Sequence, residues 1–256
     1  MGKYIKLFET HSDYEAFTAT SDFILPNVSY CEDRTDEVHY NPYVDPCKQY
    51  DYVEIGGVKW ATKNVGACDI TDTGLYFQWG DTQGYTAEQC GSGEGQKYFG
   101  WADYKYGNGT SSPVATDITK YNATDGKTVL ETIDDAVIAN LGGGWRMPTY
   151  NDFATLSNTT TNEWVANYQG SGVNGILFTS IADSNVKLFF PACGSCYNGS
   201  VNNVSSYGFY WSNLLRGSGS DYMTAYILYS ANGGFMMEES QRCCGCPVRG
   251  VFGQNS

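Results

Sequence analysis

Short apolar runs separated by glycine-rich turns are the feature that most constrains how this chain can fold. Several runs combine valine or isoleucine with tyrosine or phenylalanine, residues that pack well on a pleated sheet. Long helices are disfavoured because the chain carries 30 glycines and 21 tyrosines and only 17% of its residues are charged. We therefore predict an α+β fold dominated by short strands and long loops. Strands are predicted at residues 52–55, 58–61, 75–79, 176–179, 186–190, 226–229 and 248–251.

Two helices are predicted between these strands. The first covers residues 129–140 and ends before the glycines at 142–144. The second begins at Thr149, because its hydroxyl and the side chain of Asp152 can cap the helix reciprocally. Residues 80–119 have little periodicity and predict long surface loops.

The first part of the chain differs from the rest and predicts two domains, at residues 1–50 and 51–256. An acidic run at residues 32–37 is followed by two prolines. Ser12 can cap a short helix, and residues 26–31 are typical of a strand. About 50 residues are few for an independent core, so we expect a short N-terminal module.

The formal net charge of −13 argues against nucleic acid and anionic membranes as partners, because binding to phosphates depends on Lys and Arg. We also expect no membrane insertion and no secretory signal, since we find neither a ~20-residue apolar span nor an apolar stretch of signal-peptide length.

Residues that could support catalysis are sparse. The only histidines, His11 and His39, precede the main domain, so no histidine-based triad is expected there. Phosphate-binding loops and zinc-protease motifs are also missing from the sequence. Asp134 and Asp135 fall on the first predicted helix, where we expect them on a solvated face. We predict neither catalytic residues nor a cofactor.

Three motifs in order carry a resemblance to a known family. They are VKWATKNVGA at residues 58–67, GGWRMPTYNDFATL at 143–156, and GFYWSN at 208–213 followed by PVRGV at 247–251. Together they resemble the C-type-lectin-fold domains of bacterial major paralogous proteins and of the variable proteins of diversity-generating retroelements. The resemblance covers residues 52–251. It implies a C-type lectin fold with a small mixed sheet, two helices and long loops.

Five residues of these motifs are expected to belong to the framework of the fold. Trp60, Trp145 and Trp211 can each bury a large apolar area. Arg146 and Arg249 are expected to pair with carboxylates or carbonyls inside the domain.

In such variable proteins the fold is a scaffold and selected positions near the C-terminus are diversified to bind a ligand. By this resemblance the variable region spans about residues 192–251. The candidate ligand-binding residues are Cys196, Tyr197, Tyr207, Phe209, Asn213, Leu214, Leu215, Arg216, Ser218, Ser220, Tyr222, Ile227, Tyr229, Cys243, Cys244 and Cys246.

Two parts of this region leave alternatives open. Residues 214–222 read as an adaptable contact loop or as an ordinary loop that turns its leucines inward. In the following strand, Ile227 and Tyr229 are expected to face solvent if Tyr226 and Leu228 face the core. The alternative is a strand buried on both faces.

The cysteines number nine, so they cannot all pair with one another, and free thiols are expected. By the same resemblance, we interpret the clusters Cys193-Gly-Ser-Cys196 and Cys243-Cys-Gly-Cys246 as diversified positions. A zinc site and a disulfide are the alternatives. We predict no metal.

Two related activities are disfavoured. Calcium-dependent sugar binding in animal lectins uses Glu-Pro-Asn or Gln-Pro-Asp with Trp-Asn-Asp, and the sequence has none of these motifs. Formylglycine-generating enzymes share the fold class and a motif similar to residues 145–153, but their active-site cysteine pair is spaced differently from the cysteines here.

Residues 6–17 and 26–33 resemble an N-terminal module of structural proteins from phages that infect gut Bacteroidales. This resemblance implies that residues 1–50 attach the chain to a virion structural protein, while the C-terminal surface binds a host cell-surface protein or glycan. The alternatives are a bacterial surface or secreted adhesin and a decoration protein without a ligand. Homo-oligomerisation stays open.

Overall fold

The computed structural model describes residues 28–29, 41–42, 47–217 and 222–253, the first two ranges for their backbone only. The chain divides into two compact units, residues 1–49 and 50–256. In the first unit, β1 (Val28–Ser29) pairs antiparallel with β2 (Asn41–Pro42). Strand β1 falls inside the predicted strand at residues 26–31. The helix predicted from Ser12 lies outside the described residues.

Short strands dominate the described part of the second unit, and two α-helices accompany them. Its strands are β3 (Tyr52–Ile55), β4 (Val58–Asn64), β5 (Trp145–Arg146), β6 (Thr160–Val165), β7 (Gly175–Ser180), β8 (Lys187–Pro191), β9 (Ser195–Tyr197), β10 (Ser200–Asn202), β11 (Tyr207–Leu215), β12 (Thr224–Ala231), β13 (Gly234–Gln241) and β14 (Arg249–Phe252). Its helices are α1 (Ala136–Leu141) and α2 (Tyr150–Thr159), with 3-10 turns at Ala87–Gln89, Trp101–Asp103, Ala115–Asp117, Thr132–Asp134 and Tyr168–Gly170. The predicted α+β class is confirmed.

The strand ladders of the described residues are all antiparallel. The second unit contains the sheets β3-β4-β14-β5, β6-β7-β8 and β11-β12-β13 and the hairpin β9-β10. Parallel pairing occurs there only as the isolated bridges Cys90–Lys97 and Gly194–Gly208. The expectation of one mixed sheet is therefore wrong for these strands. Most neighbouring strands follow each other directly along the chain, and such hairpin connections favour antiparallel pairing.

Segments that are distant in sequence meet in the first of these sheets. Val251 of β14 pairs with Trp60 of β4 on one side and with Arg146 of β5 on the other. Arg249 pairs with Asn64 of β4. The first two motifs and the end of the third thus form one continuous piece of framework.

Both framework arginines have the internal partners that were predicted. Arg249 donates from Nε to Asn64 Oδ1 at 2.9 Å and from its terminal nitrogens to the carbonyls of Ala61 and Phe189. Arg146 forms an ion pair with Asp152, in which Nη1 and Oδ2 are 2.6 Å apart. These bonds satisfy guanidinium groups that would be costly to bury alone.

The second predicted helix is confirmed and the first is shorter than predicted. Thr149 caps α2 by accepting a hydrogen bond from the Asp152 amide at 3.0 Å, and the Asp152 side chain accepts from the Thr149 amide at 2.7 Å. Helix α1 begins only after Asp135, whose side chain accepts from the amides of Val137 and Ile138. An Asp in this position ends the preceding turn and starts the helix.

The expectation that Asp134 and Asp135 lie on a solvated face is wrong. Their exposed fractions are 3% and 4%. Asp134 accepts hydrogen bonds from Tyr121 Oη at 2.7 Å and Lys105 Nζ at 3.2 Å, and also from Lys120 and Tyr106. Because the segment is a 3-10 turn followed by a helix cap, both carboxylates turn toward buried donors.

The strand predicted at residues 75–79 is also wrong. Tyr76 and Phe77 pair only through isolated bridges, with Tyr85 and Cys246 respectively. Since the two partners come from different parts of the chain, no continuous ladder forms. In the loops predicted at residues 80–119, Trp101 and Tyr104 are buried, so these loops contribute to the core. Strands β2, β5, β6, β9, β10, β11 and β13 were not among the predicted strands.

The sheet β11-β12-β13 lies between two apolar clusters. Trp211 and Ile227, which are cross-strand partners, belong to the cluster on one face. Tyr210 and Leu228, also partners, belong to the cluster on the other face. The middle of β11 and β12 is therefore buried on both faces, whereas the residues of β13 are exposed or half-buried. Within the described residues, no helix is both long and apolar enough to cross a membrane.

Candidate ligand-binding surface

An aromatic surface forms where the sheet β11-β12-β13 emerges from the core. Phe209 and Tyr229 are direct cross-strand partners, and Tyr229 in turn pairs with Met236. Ring centroids are 5.4 Å apart for Phe209 and Tyr229 and 5.5 Å apart for Tyr207 and Tyr229. The three rings are half-buried, and Met236 is 52% exposed. We call Tyr207, Phe209, Tyr229 and Met236 the aromatic platform.

Local sequence explains why these side chains share a face. Tyr207 and Phe209 alternate with Gly208 and Tyr210, which a strand turns to the opposite side. A Cβ atom at Gly208 would lie 2.5 Å from Ser230 Oγ, so only glycine fits there. Tyr210 donates its hydroxyl to the Pro191 carbonyl at 2.6 Å, which fixes the strand from behind.

The platform continues directly into the core. Phe209 and Tyr229 pack against the cluster that contains Trp211 and Ile227. Trp211 is fully buried and donates from Nε1 to the Phe77 carbonyl at 2.8 Å. Packing against the core therefore holds the half-buried rings in place. A ligand could bind them with little ordering of the protein.

The phenol of Tyr229 is neutral at physiological pH. Burial raises the pKa of Tyr229, and the nearby Tyr207 and Glu238 raise it further. The phenol of Tyr229 therefore keeps its proton. Such a surface suits contact with apolar faces and with hydrogen-bonding groups of a ligand.

The candidate residues with exposed or half-buried side chains are separated into groups. Leu214, Arg216 and Tyr222 lie toward the opposite end of the β11–β12 pair from Phe209. At a rise of about 3.3 Å per residue, Leu214 is roughly 17 Å further along β11. Tyr197 lies on β9 and Cys244 follows β13. These candidates therefore do not form one contiguous patch. Ser218 and Ser220 lie outside the described residues.

Two of the candidates on the third motif and its loop are buried. Strand β11 continues to Leu215, which is 2% exposed and belongs to the core, so the alternative of an inward-turned leucine is correct for this residue. Asn213 is 3% exposed and its backbone bonds to Pro148 and Leu130. The prediction that Leu215 and Asn213 contribute to a ligand-binding surface is therefore wrong, because both are buried.

Ile227 is also buried, with an exposed fraction of 1%. The alternation of β12 was predicted correctly, since Ile227 and Tyr229 share one face. That face, however, is covered by apolar residues around Ile227 and opens only near Tyr229. The alternative of a strand buried on both sides is correct for the middle of β12.

The cysteine clusters lie inside the fold. Cys193, Cys196, Cys243 and Cys246 are at most 1% exposed, and each belongs to a different apolar cluster. The prediction of Cys196, Cys243 and Cys246 as ligand-binding residues is therefore wrong, because their small apolar side chains fill core positions. Their thiols are free, as are those of Cys90 and Cys244. In the described part of the chain, no cluster of three or more His, Cys, Asp or Glu residues is arranged to hold a metal ion.

Free thiols were the wrong expectation for two cysteines. Cys47 and Cys68 are each disulfide-bonded. Cys31 lies outside the described residues. An odd cysteine count alone does not show which cysteines are oxidised.

A groove borders the aromatic platform and was missed by the sequence reasoning. It has a volume of about 530 Å³ and is lined by Tyr207 and Tyr229 together with Trp164, Asn174, Ser206 and Asn232, among others. Trp164 and Asn174 precede the variable region, in strands and turns that the motifs do not include. The Asn232-Gly233 turn, a strong hairpin signal, is the one local sequence feature that could have pointed to this place.

Comparison with family models, curated proteins and solved structures found no match to this chain.

Proposed function

We propose that this chain is a ligand-binding protein with a C-type lectin fold, carried on a phage virion and used for attachment to the host. Its diversified surface is formed by the exposed residues within about 192–251, with the aromatic platform at its centre. Residues 1–50 attach it to a virion structural protein. The ligand is a protein or a glycan of the host cell surface.

The aromatic platform is the observation that carries the proposal. Three rings and a methionine remain partly in solvent beside strands β11 and β12, whose middle is buried on both faces. Exposed apolar clusters lower solubility, and soluble proteins retain large ones mainly at binding sites. Tyrosine also makes large contacts at low conformational cost.

The arrangement of the framework supports the lectin-type fold. The motif residues Trp60, Arg146, Arg249 and Val251 come together in one sheet, and Trp211 lies in the core beside the platform. The division between buried motif residues and exposed neighbours suits a scaffold that tolerates change at its surface. Cys196, Asn213, Leu215, Ile227, Cys243 and Cys246 accordingly belong to the scaffold in this proposal.

Binding of the full-length chain to cells tests the proposal. Fluorescently labelled protein should bind saturably to at least one strain in a panel of gut Bacteroidales. The joint variant Tyr207→Ser, Phe209→Ser, Tyr229→Ser should bind at least tenfold more weakly. Ile133→Ser, at a side chain that is 77% exposed and outside the platform, is the control and should bind like the wild type.

Unsaturable binding to every strain would contradict a role in host attachment. Equal binding by the joint variant and the wild type would contradict the platform as the contact surface. Circular dichroism of each variant shows whether it has folded, so that a loss of binding is not mistaken for a loss of structure.

A further inference from the structure

The groove beside the aromatic platform has a chemistry of its own. Its lining includes the aromatic residues Trp164, Tyr207 and Tyr229 and the neutral polar residues Asn174, Ser206 and Asn232. Its volume of about 530 Å³ lies within the range of small-molecule sites. None of the described residues that line it carries a full charge.

The walls of the groove come from different sheets. Trp164 lies on β6, while Tyr207 begins β11 and Tyr229 lies on β12. A Cβ atom at Gly234 would be 3.6 Å from Asn162 Oδ1, so the β12–β13 turn lies close to β6. This close approach places Asn232 of that turn at the groove.

Asn174 holds one side of the groove in place. Its Oδ1 accepts from the Asn167 amide at 3.0 Å, and its Nδ2 donates to the Ser205 carbonyl at 3.0 Å. Ser205 and Ser206 are therefore fixed next to Tyr207. Ser205 has a φ of 65°, a conformation unusual for a residue with a side chain. The two hydrogen bonds of the Asn174 side chain thus fix this part of the groove lining.

Two polar residues of the groove lining, Ser206 and Asn232, are accessible to a ligand. In the part of the chain that the structure describes, the side chains of Ser206 and Asn232 form no hydrogen bond with the protein, and both residues are exposed. An amide offers two donors and an acceptor, and a hydroxyl offers one donor and two acceptor positions. A lining that combines aromatic rings with neutral polar groups matches a ligand with an apolar face and hydroxyls along its edge.

We infer that this groove binds a neutral pyranose residue of a glycan. The C–H groups on one face of a sugar ring can pack on Trp164 or Tyr229, while its hydroxyls bond to Asn232 and Ser206. Anionic sugars and nucleotides are disfavoured because no basic side chain lines the groove and the chain has a net charge of −13. Since no carboxylate lines it either, binding requires no calcium.

This inference rests on the proposed function, because it names the class of ligand for the same surface. It adds Trp164, Asn174 and Asn232, which lie outside the platform. It also specifies that the ligand is a glycan. A protein ligand would contradict the inference.

Saturation-transfer NMR on the full-length chain tests the inference. The probes are the methyl pyranosides of glucose, galactose, mannose and N-acetylglucosamine, with the methyl glycoside of N-acetylneuraminic acid as an anionic control. At least one neutral probe should give a saturable signal that persists in EDTA, and the anionic probe should give none. Trp164→Ala and Asn232→Ala should each weaken binding about tenfold or more, while Trp164→Phe should retain most of it.

The control variant is Tyr98→Ala, which removes an aromatic ring that is 42% exposed and does not line the groove. It should bind the probes like the wild type. Equal binding by Trp164→Ala and the wild type would place the sugar elsewhere and overturn the inference.

Binding to cells separates this inference from the proposed function. Periodate oxidation of surface glycans should abolish binding of the wild-type chain to cells, and protease treatment should not. Cell binding that survives periodate and is lost with protease would overturn the glycan inference, while host attachment would stand. Absence of binding to both cells and pyranosides would contradict both.

Discussion

The ring of Tyr207 stacks on the ring of Tyr229 with centroids 5.5 Å apart and planes inclined by 26°, although the two residues are not direct cross-strand partners. Tyr207 pairs with Ala231, and Tyr229 pairs with Phe209. The small side chain of Ala231 leaves room for this diagonal contact. The antiparallel register thus assembles an aromatic surface at the end of a sheet whose middle is buried.

The exposed rings are expected to contribute little to stability. The double variant Tyr207→Ala, Tyr229→Ala should lower the free energy of unfolding by only about 1–2 kcal/mol, because it removes one stacked pair that is partly in solvent. Trp211→Ala should cost about 3–5 kcal/mol, because it leaves a cavity and leaves the Phe77 carbonyl with only the Cys246 amide as a donor. Guanidinium unfolding monitored by circular dichroism measures both. A larger loss for the tyrosines than for Trp211 would place them in the core.

Ile227 provides a test of the corrected strand burial. Ile227→Ala should destabilise the protein by about 2–5 kcal/mol, because the side chain is 1% exposed and packs beside Trp211. Ile181→Ala, at a side chain that is 65% exposed, should change stability by less than about 0.5 kcal/mol. Similar small effects for both variants would show that Ile227 faces solvent.

Asp134 is expected to make stability depend on acid pH. Burial alone would raise its pKa, but hydrogen bonds from Lys120, Tyr106, Tyr121 and Lys105 outweigh it and lower the pKa to about 2 from an ordinary value near 3.8. Because the folded state favours the carboxylate, this contribution is present above about pH 4 and is lost as the pH falls toward 2. Its size is roughly 2 kcal/mol.

The matched variant for this pH effect is Asp134→Asn. The stability difference between wild type and variant should be largest at neutral pH and shrink between pH 4 and 2, as measured by urea unfolding at each pH. A difference that is constant over this range would mean that the charge of Asp134 contributes nothing to the fold.

Thiol labelling tests the positions of the cysteines. In the native protein, iodoacetamide should modify Cys244 first, since it is half-buried and the hydrogen bond with Cys243 lowers its pKa. Cys193, Cys196 and Cys246 should react only after unfolding, because they are buried and burial raises the pKa of each. Peptide mass spectrometry identifies the modified residues. Rapid labelling of Cys196 or Cys246 in the native protein would show that these residues are exposed to solvent and would contradict their burial.

The sequence predicted local features better than burial. The cap formed by Thr149 and Asp152 depends on residues three apart, and the partners expected for Arg249 follow from the cost of burying its charge. The strand around Ile227 was also found, and its side-chain alternation was correct. Whether the outer face of that strand is covered depends on residues more than 70 positions away, such as Phe77 and Val137, which its own sequence does not show.

The groove could not be predicted for the same reason. Trp164 lies on a strand with mixed polar and apolar residues. It comes close to Tyr229 only when two sheets pack together. The burial of Asp134 likewise depends on Lys105 and Tyr121 from separate loops. Such sites are determined by contacts between segments rather than by a motif.

Sequencing many natural copies of the gene tests most directly the claim that this is a diversified binding surface. Copies that share the rest of the gene should differ at the codons for Tyr207, Phe209 and Tyr229, with the changes confined to adenine positions of a nearby template repeat. The codons for the buried partners Trp211 and Leu228 should remain unchanged. Substitutions spread evenly over exposed and buried codons, or no excess of change at the platform codons, would contradict the account.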